Sequence, residues 1–123
     1  MGTFLHPITL TGPSGASETL EMVVGTDTLF TVVPTSMLQA LGVKPHRTVP
    51  LRDANGRIEQ WRLGRVDAQI DGDMNPILCL FGSDDEVPLL GRHTVDTFLL
   101  TIDPLQQRLV PKDAYLMAAA GSR

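Results

Sequence analysis

The chain has 123 residues, a length that suits one domain and leaves no room for the two lobes of a large enzyme. Hydrophobic residues make up 42%, which excludes a disordered chain, and ten basic against fourteen acidic residues (net −4) argue against a nucleic-acid surface. Cys79 is the single cysteine, so an intrachain disulfide framework and a cysteine-based zinc site are both excluded.

Eleven glycines and nine prolines punctuate short β-branched runs. Strands are expected at Phe4–Leu10, Thr19–Val24, Phe30–Val33, Ile58–Ile70, Ile77–Phe81, Phe98–Ile102 and Arg108–Val110. Gly12-Pro13-Ser14-Gly15 turns the first strand into the second. Ser36–Leu41 has the punctuation of a helix: Ser36-x-x-Gln39 fits a capping box, Met37, Leu38 and Leu41 form one apolar face, and Gly42 supplies a stop. Asn55-Gly56 is a hairpin signal in which both residues tolerate positive φ. A short helix is expected at Arg92–Thr97, and alanines favour another at Asp113–Ala120. Leu20, Val24, Phe30, Val32, Leu38, Leu41, Leu78, Leu80, Leu89, Leu90, Phe98, Leu100 and Ile102 are the expected core, and Phe30–Val33 is short enough to be buried on both faces.

Some patterns carry no chemistry. Asp71-x-Asp73-x-Asn75 opens like a calcium loop, but Pro76 and Gly82 occupy positions that need glycine and glutamate, which leaves an acidic turn. Ser83–Glu86 reads as a solvated loop before a buried run, Val87–Leu90. Cys79 reads as a small buried hydrophobe. His93 reads as a surface helix residue; His6 and His46 are isolated, with no role assigned. No apolar run reaches the roughly 18 residues of a membrane span, and no basic-then-apolar leader opens the sequence, so a cytoplasmic location is expected. No metal site and no cofactor are expected.

Two stretches carry most of the information. One is Leu20-Glu-Met-Val-Val-Gly-Thr-Asp-Thr-Leu-Phe-Thr-Val-Val-Pro, running on to Leu41-Gly42. The other is Pro88-Leu-Leu-Gly-Arg-His, closed by Asp103-Pro104 and Arg108-Leu-Val-Pro111. Together they resemble the retropepsin-like aspartic proteases, in particular the small single-domain bacterial type, and the resemblance covers nearly the whole chain. It implies a mostly-β, closed acid-protease barrel spanning residues 1–123, with one or two short helices and a flap hairpin. It also implies a homodimer, and an extended peptide or unfolded protein segment as partner. The flap falls on Ala54, Asn55, Gly56 and Arg57, with Trp61 as an anchor at its base. Leu89, Leu90, Gly91 and Arg92 correspond to the segment that passes behind the catalytic loop. There the glycine permits close crossing, and Arg92 is placed to pair with carboxylates or loop carbonyls.

The sequence departs from the family at the chemistry itself. Where the family has Asp-Thr-Gly, this chain has Gly25-Thr26-Asp27. Aspartic proteolysis needs two carboxylates sharing one proton: the ionised one activates water and the protonated one polarises the scissile carbonyl. Three readings of the exchange stand open. Asp27 is an ordinary loop carboxylate on a fold that has lost proteolysis; or Asp27 of each subunit rebuilds the pair with Thr26 supporting it; or the sequence has been altered at these positions. Two functions follow, an aspartic endopeptidase homolog and a non-catalytic peptide-binding or dimerisation module.

Overall fold

In the computed structural model, residues 3–25 and 28–112 are described. They form nine strands and two short helices: β1 (Phe4–Thr11), β2 (Ser17–Val24), β3 (Thr31–Pro34), α1 (Thr35–Ala40), β4 (Arg47–Arg52), β5 (Ile58–Ile70), β6 (Asp73–Gly82), β7 (Leu89–Leu90), α2 (Arg92–Thr97), β8 (Leu100–Asp103) and β9 (Arg108–Pro111). The expected helix at Asp113–Ala120 lies outside the described residues.

Seven strands share one sheet in the order β1-β2-β7-β3-β6-β5-β4, and β1 also pairs with β5. The pairings therefore run from β1 through β2, β7, β3, β6 and β5 back to β1. The 13-residue β5 makes this possible, because its first half pairs with β4 and its second half with β6 and β1. β7 has two residues, parallel to β2 on one side and antiparallel to β3 on the other. β8 and β9 form a separate hairpin.

Alternation along the strands fills the core. Ile8 and Leu10 of β1, Met22 and Val24 of β2, Val66, Ala68 and Ile70 of β5, and Ile77 and Cys79 of β6 are buried in one cluster. Leu38 and Leu41, Val95 and Phe98 close it from the helical elements. Seven of the expected core residues are buried less than foreseen. Leu20, Leu100 and Ile102 sit half-buried against the cluster, Leu78 is half-buried, and Phe30, Val32 and Leu89 face a groove. In β3 it is Thr31 and Val33 that are fully buried. The strand keeps its period of two, with its phase one residue away from that expected.

Other boundaries also differ from expectation. Phe98 ends α2 rather than beginning a strand, because Leu99 takes a φ of 56° and β8 starts only at Leu100. β4 was not foreseen, since its burial is shallow throughout. Val87 is 57% exposed, so the buried part of its run narrows to Leu90. The foreseen capping box is absent: α1 begins at Thr35, with no cap hydrogen bond from Pro34. Instead the Ser36 N–H donates to Asp84 Oδ1 at 2.9 Å, and Thr35 Oγ1 donates to the Gly82 carbonyl at 2.8 Å. A carboxylate distant in sequence thus does the capping.

The Asn55-Gly56 and Asp71-Gly72 turns both make hairpins, in different ways. Asp71 and Gly72 have positive φ of 51° and 93° and join β5 to β6 as a two-residue primed turn. Between β4 and β5 only Gly56 has positive φ, at 84°, and Asn55 does not. That turn is held by Asp53, whose Oδ1 accepts the N–H groups of Asn55 and Arg57, each at 2.9 Å.

Candidate functional site

The loop from Gly25 leaves β2 and enters β3, yet β2 and β3 are not neighbours in the sheet. β7 lies between them, and its continuation crosses under the segment Thr28–Phe30. Gly91 makes the crossing: a Cβ there would lie 2.3 Å from the Phe30 carbonyl carbon and 2.5 Å from the Leu29 oxygen. No side chain fits that space. The N–H groups of Arg92 and His93 donate to the carbonyls of Thr28 and Leu29 at 2.8 and 3.0 Å. Arg92 therefore holds the loop through its backbone, and it also lines a cleft with Val95, Asp96 and Lys112.

A buried hydroxyl pair completes the attachment. Thr31 Oγ1 accepts the Gly91 N–H at 3.0 Å and lies 2.6 Å from Thr94 Oγ1. Both threonines are fully buried, so each hydroxyl needs a partner inside the protein. The sequence reading missed this pair because threonine alternates freely with valine in strands, and only the contact across 63 residues distinguishes it.

Gly25 stands differently from Gly91. Its φ is outside the left-handed region, and among the described residues a Cβ would meet only Thr3 Cγ2, at an ordinary 3.5 Å. Neither backbone conformation nor crowding by these neighbours requires glycine at this position. Thr26 and Asp27 lie outside the described residues.

Beside this loop opens a groove of about 500 Å³. Leu29, Phe30, Val32, Leu80 and Leu89 give it an apolar floor, and the β4–β5 hairpin forms the opposite wall with Leu51, Arg52, Asp53, Glu59 and Trp61. Thr28 and Glu86 complete the rim. Trp61 and Glu59 share one face of β5, two residues apart, and Leu51 pairs with Glu59 across the hairpin. The expected flap residues Ala54, Asn55, Gly56 and Arg57 form the exposed tip, whereas the groove is lined by the hairpin's stem. Alternation around Trp61 was the signal for the stem residues. His93 is an exposed residue of α2 and stacks on Phe30, with ring centroids 6.1 Å apart.

Among the described residues no group of three or more His, Cys, Asp or Glu is placed to hold a metal ion, and no helix is long and apolar enough to cross a membrane. Burial pushes the Cys79 thiol up to about 12, far from a reactive thiolate.

No family model matches this sequence, and no curated protein matches it. The fold is similar to that of a retropepsin-like aspartic protease from Rickettsia conorii, at 17% identity and a TM-score of 0.50, over 84% of this chain and 89% of that one. The fold of the chain is thus retropepsin-like and mostly β.

Proposed function

We propose that the chain, as a single domain over residues 1–123, is a retropepsin-like aspartic endopeptidase homolog. In this reading it works as a homodimer and takes an extended peptide or unfolded protein segment into the groove beneath the β4–β5 hairpin. The observation that supports it is the placement of that groove between the hairpin and the segment directly following Gly25-Thr26-Asp27. The cycle of strand pairings supports the closed barrel that the family uses, and the hairpin tip at Ala54–Arg57 takes the part of the flap.

Hydrolysis in this reading rests on Asp27, one from each subunit, because Gly25 has no carboxylate. The ionised Asp27 takes a proton from water, whose oxygen attacks the peptide carbonyl carbon; the protonated partner donates to the carbonyl oxygen. On collapse of the tetrahedral species the C–N bond breaks: the Asp27 that took water's proton gives it to the leaving amine, and its partner takes back a proton from a hydroxyl of the tetrahedral carbon, which restores the starting pair. Thr26 supports the pair through a hydrogen bond.

A second reading, a non-catalytic peptide-binding or dimerisation module, is favoured by the surroundings of Gly25. An aspartate there meets no obstacle at its Cβ among the described residues, so its absence is not imposed by those residues.

The experiment is hydrolysis of an unstructured protein between pH ~4 and ~7 by the full chain, by Asp27→Asn and by the Gly25→Asp/Asp27→Gly double variant, with mass measured in solution. Cleavage by the parent that Asp27→Asn abolishes supports the endopeptidase. A silent parent with an active double variant supports the module on a protease scaffold. A monomer that stays inactive in every form overturns both.

A further inference from the structure

We propose that the groove selects peptides in which a lysine or arginine side chain lies beside bulky apolar ones. This deepens the reading of the groove as a peptide site and rests on it. The floor is apolar, with Phe30, Val32, Leu80 and Leu89, and Trp61 stands on the wall. The charged lining is unbalanced: Asp53, Glu59 and Glu86 face one cation, Arg52. Arg52 and Asp53 both belong to the hairpin turn, Arg52 Nη1 donating to the Gly56 carbonyl at 3.0 Å and Asp53 Oδ1 accepting the Asn55 and Arg57 N–H groups, and their charges offset, which leaves Glu59 and Glu86 as the net charge of the lining.

The chemistry of the occupant follows from this lining. A long side chain with a methylene stem and a cationic head covers apolar floor with its stem and brings its charge to the carboxylate rim. An acidic side chain in the same place meets like charge, which complementary surfaces avoid. Phe, Leu or Met neighbours fill the remaining apolar length. The rim carboxylates are exposed, so each contributes modestly, and selection comes from their sum.

Trp61, the only tryptophan, lies in the groove and reports on its occupancy. The test titrates the full chain with two fluorescein-labelled peptides, one carrying Lys between Leu and Phe, the other Glu in its place, following both Trp61 emission and peptide anisotropy. The Lys peptide is expected to bind on the order of tenfold more tightly, with the difference shrinking as salt is raised. Glu59→Gln and Glu86→Gln are each expected to weaken Lys-peptide binding about twofold to fivefold and to leave the Glu peptide unchanged or improved. Equal affinity for the two peptides, or a preference that survives the Glu59→Gln/Glu86→Gln double variant, overturns the selectivity and leaves the peptide site standing. Failure of both peptides to perturb Trp61 or gain anisotropy overturns the peptide site as well.

Discussion

Replacing Gly91 by alanine probes the crossing on which the loop rests. The new methyl would lie 2.3 Å from a backbone carbon, against about 3.4 Å for an ordinary contact, so one of the two chains must move by about 1 Å. Both Leu29 and Phe30 backbone atoms stand in the way, and no flexible side-chain end can yield instead. Overpacking of this kind costs about 1–3 kcal/mol, and the backbone setting places Gly91→Ala at the upper end. The backbone at Gly91, with φ −86° and ψ 158°, suits alanine, so reduced freedom of the unfolded chain returns about 0.4–1 kcal/mol. A net loss of about 2 kcal/mol lowers the melting temperature by on the order of 8 °C for a chain of this size. Thermal denaturation followed by circular dichroism measures it, with Gly25→Ala as the control. That control has room and an ordinary φ, and is expected to be neutral or more stable by up to ~1 kcal/mol. A Gly91→Ala variant melting within ~2 °C of the parent would refute the tight crossing. Trp61 emission adds a second readout, because Phe30 shares its groove and moves with the crossing.

Three further outcomes are expected. Thr31→Val leaves the buried Gly91 N–H and the Thr94 hydroxyl without their partner and should cost about 2–4 kcal/mol in urea denaturation, whereas Thr94→Val, which spares the Gly91 bond, should cost less; equal losses would count against Thr31 as the shared partner. Asp84→Ala removes the cap of α1 and should cost ~1 kcal/mol, and an unchanged urea midpoint would show that the Ser36 N–H finds water as readily. With its thiol raised from 9.0 to about 12 by burial, Cys79 contributes stability that is complete below pH 9 and is lost as pH climbs towards 12, because the unfolded thiol ionises first. Ellman's reagent at pH 8 should label Cys79 only in denaturant, and rapid labelling of the native chain would contradict its burial.

What the sequence disclosed and what it withheld divide along physical lines. β5 was legible to the residue because a long alternating strand bounded by Gly56-Arg57 and Asp71-Gly72 has one consistent interpretation. Phe30, Val32 and Leu89 were misassigned to the core because an apolar groove and an apolar interior have the same composition; only the opposite face of β3, with Thr31 and Val33, tells them apart. β4 was hidden because its stability comes from pairing with β5, leaving Arg47, Thr48, Pro50 and Arg52 exposed. The α1 cap was hidden because Asp84 reaches Ser36 from 48 residues away, beyond any local pattern. For the candidate site, Gly91 was legible through its setting in Leu-Leu-Gly-Arg, whereas the hairpin's contribution was assigned to its tip when its stem lines the groove.

The smallest strand has the longest reach in time. Among the described residues β7, two residues long, is the only strand between β2 and β3, which flank the loop bearing Gly25-Thr26-Asp27. As a chain emerges from the ribosome, β2 and β3 appear early, but their facing edges have nothing to pair with until Leu89 and Leu90 arrive. Joining β2 to β3 through β7 therefore waits on closing a segment of more than fifty residues, a slow step set by chain entropy. Until then the nascent chain cannot assemble the groove floor, to which Leu89 itself contributes, so the groove is withheld until most of the protein has been made.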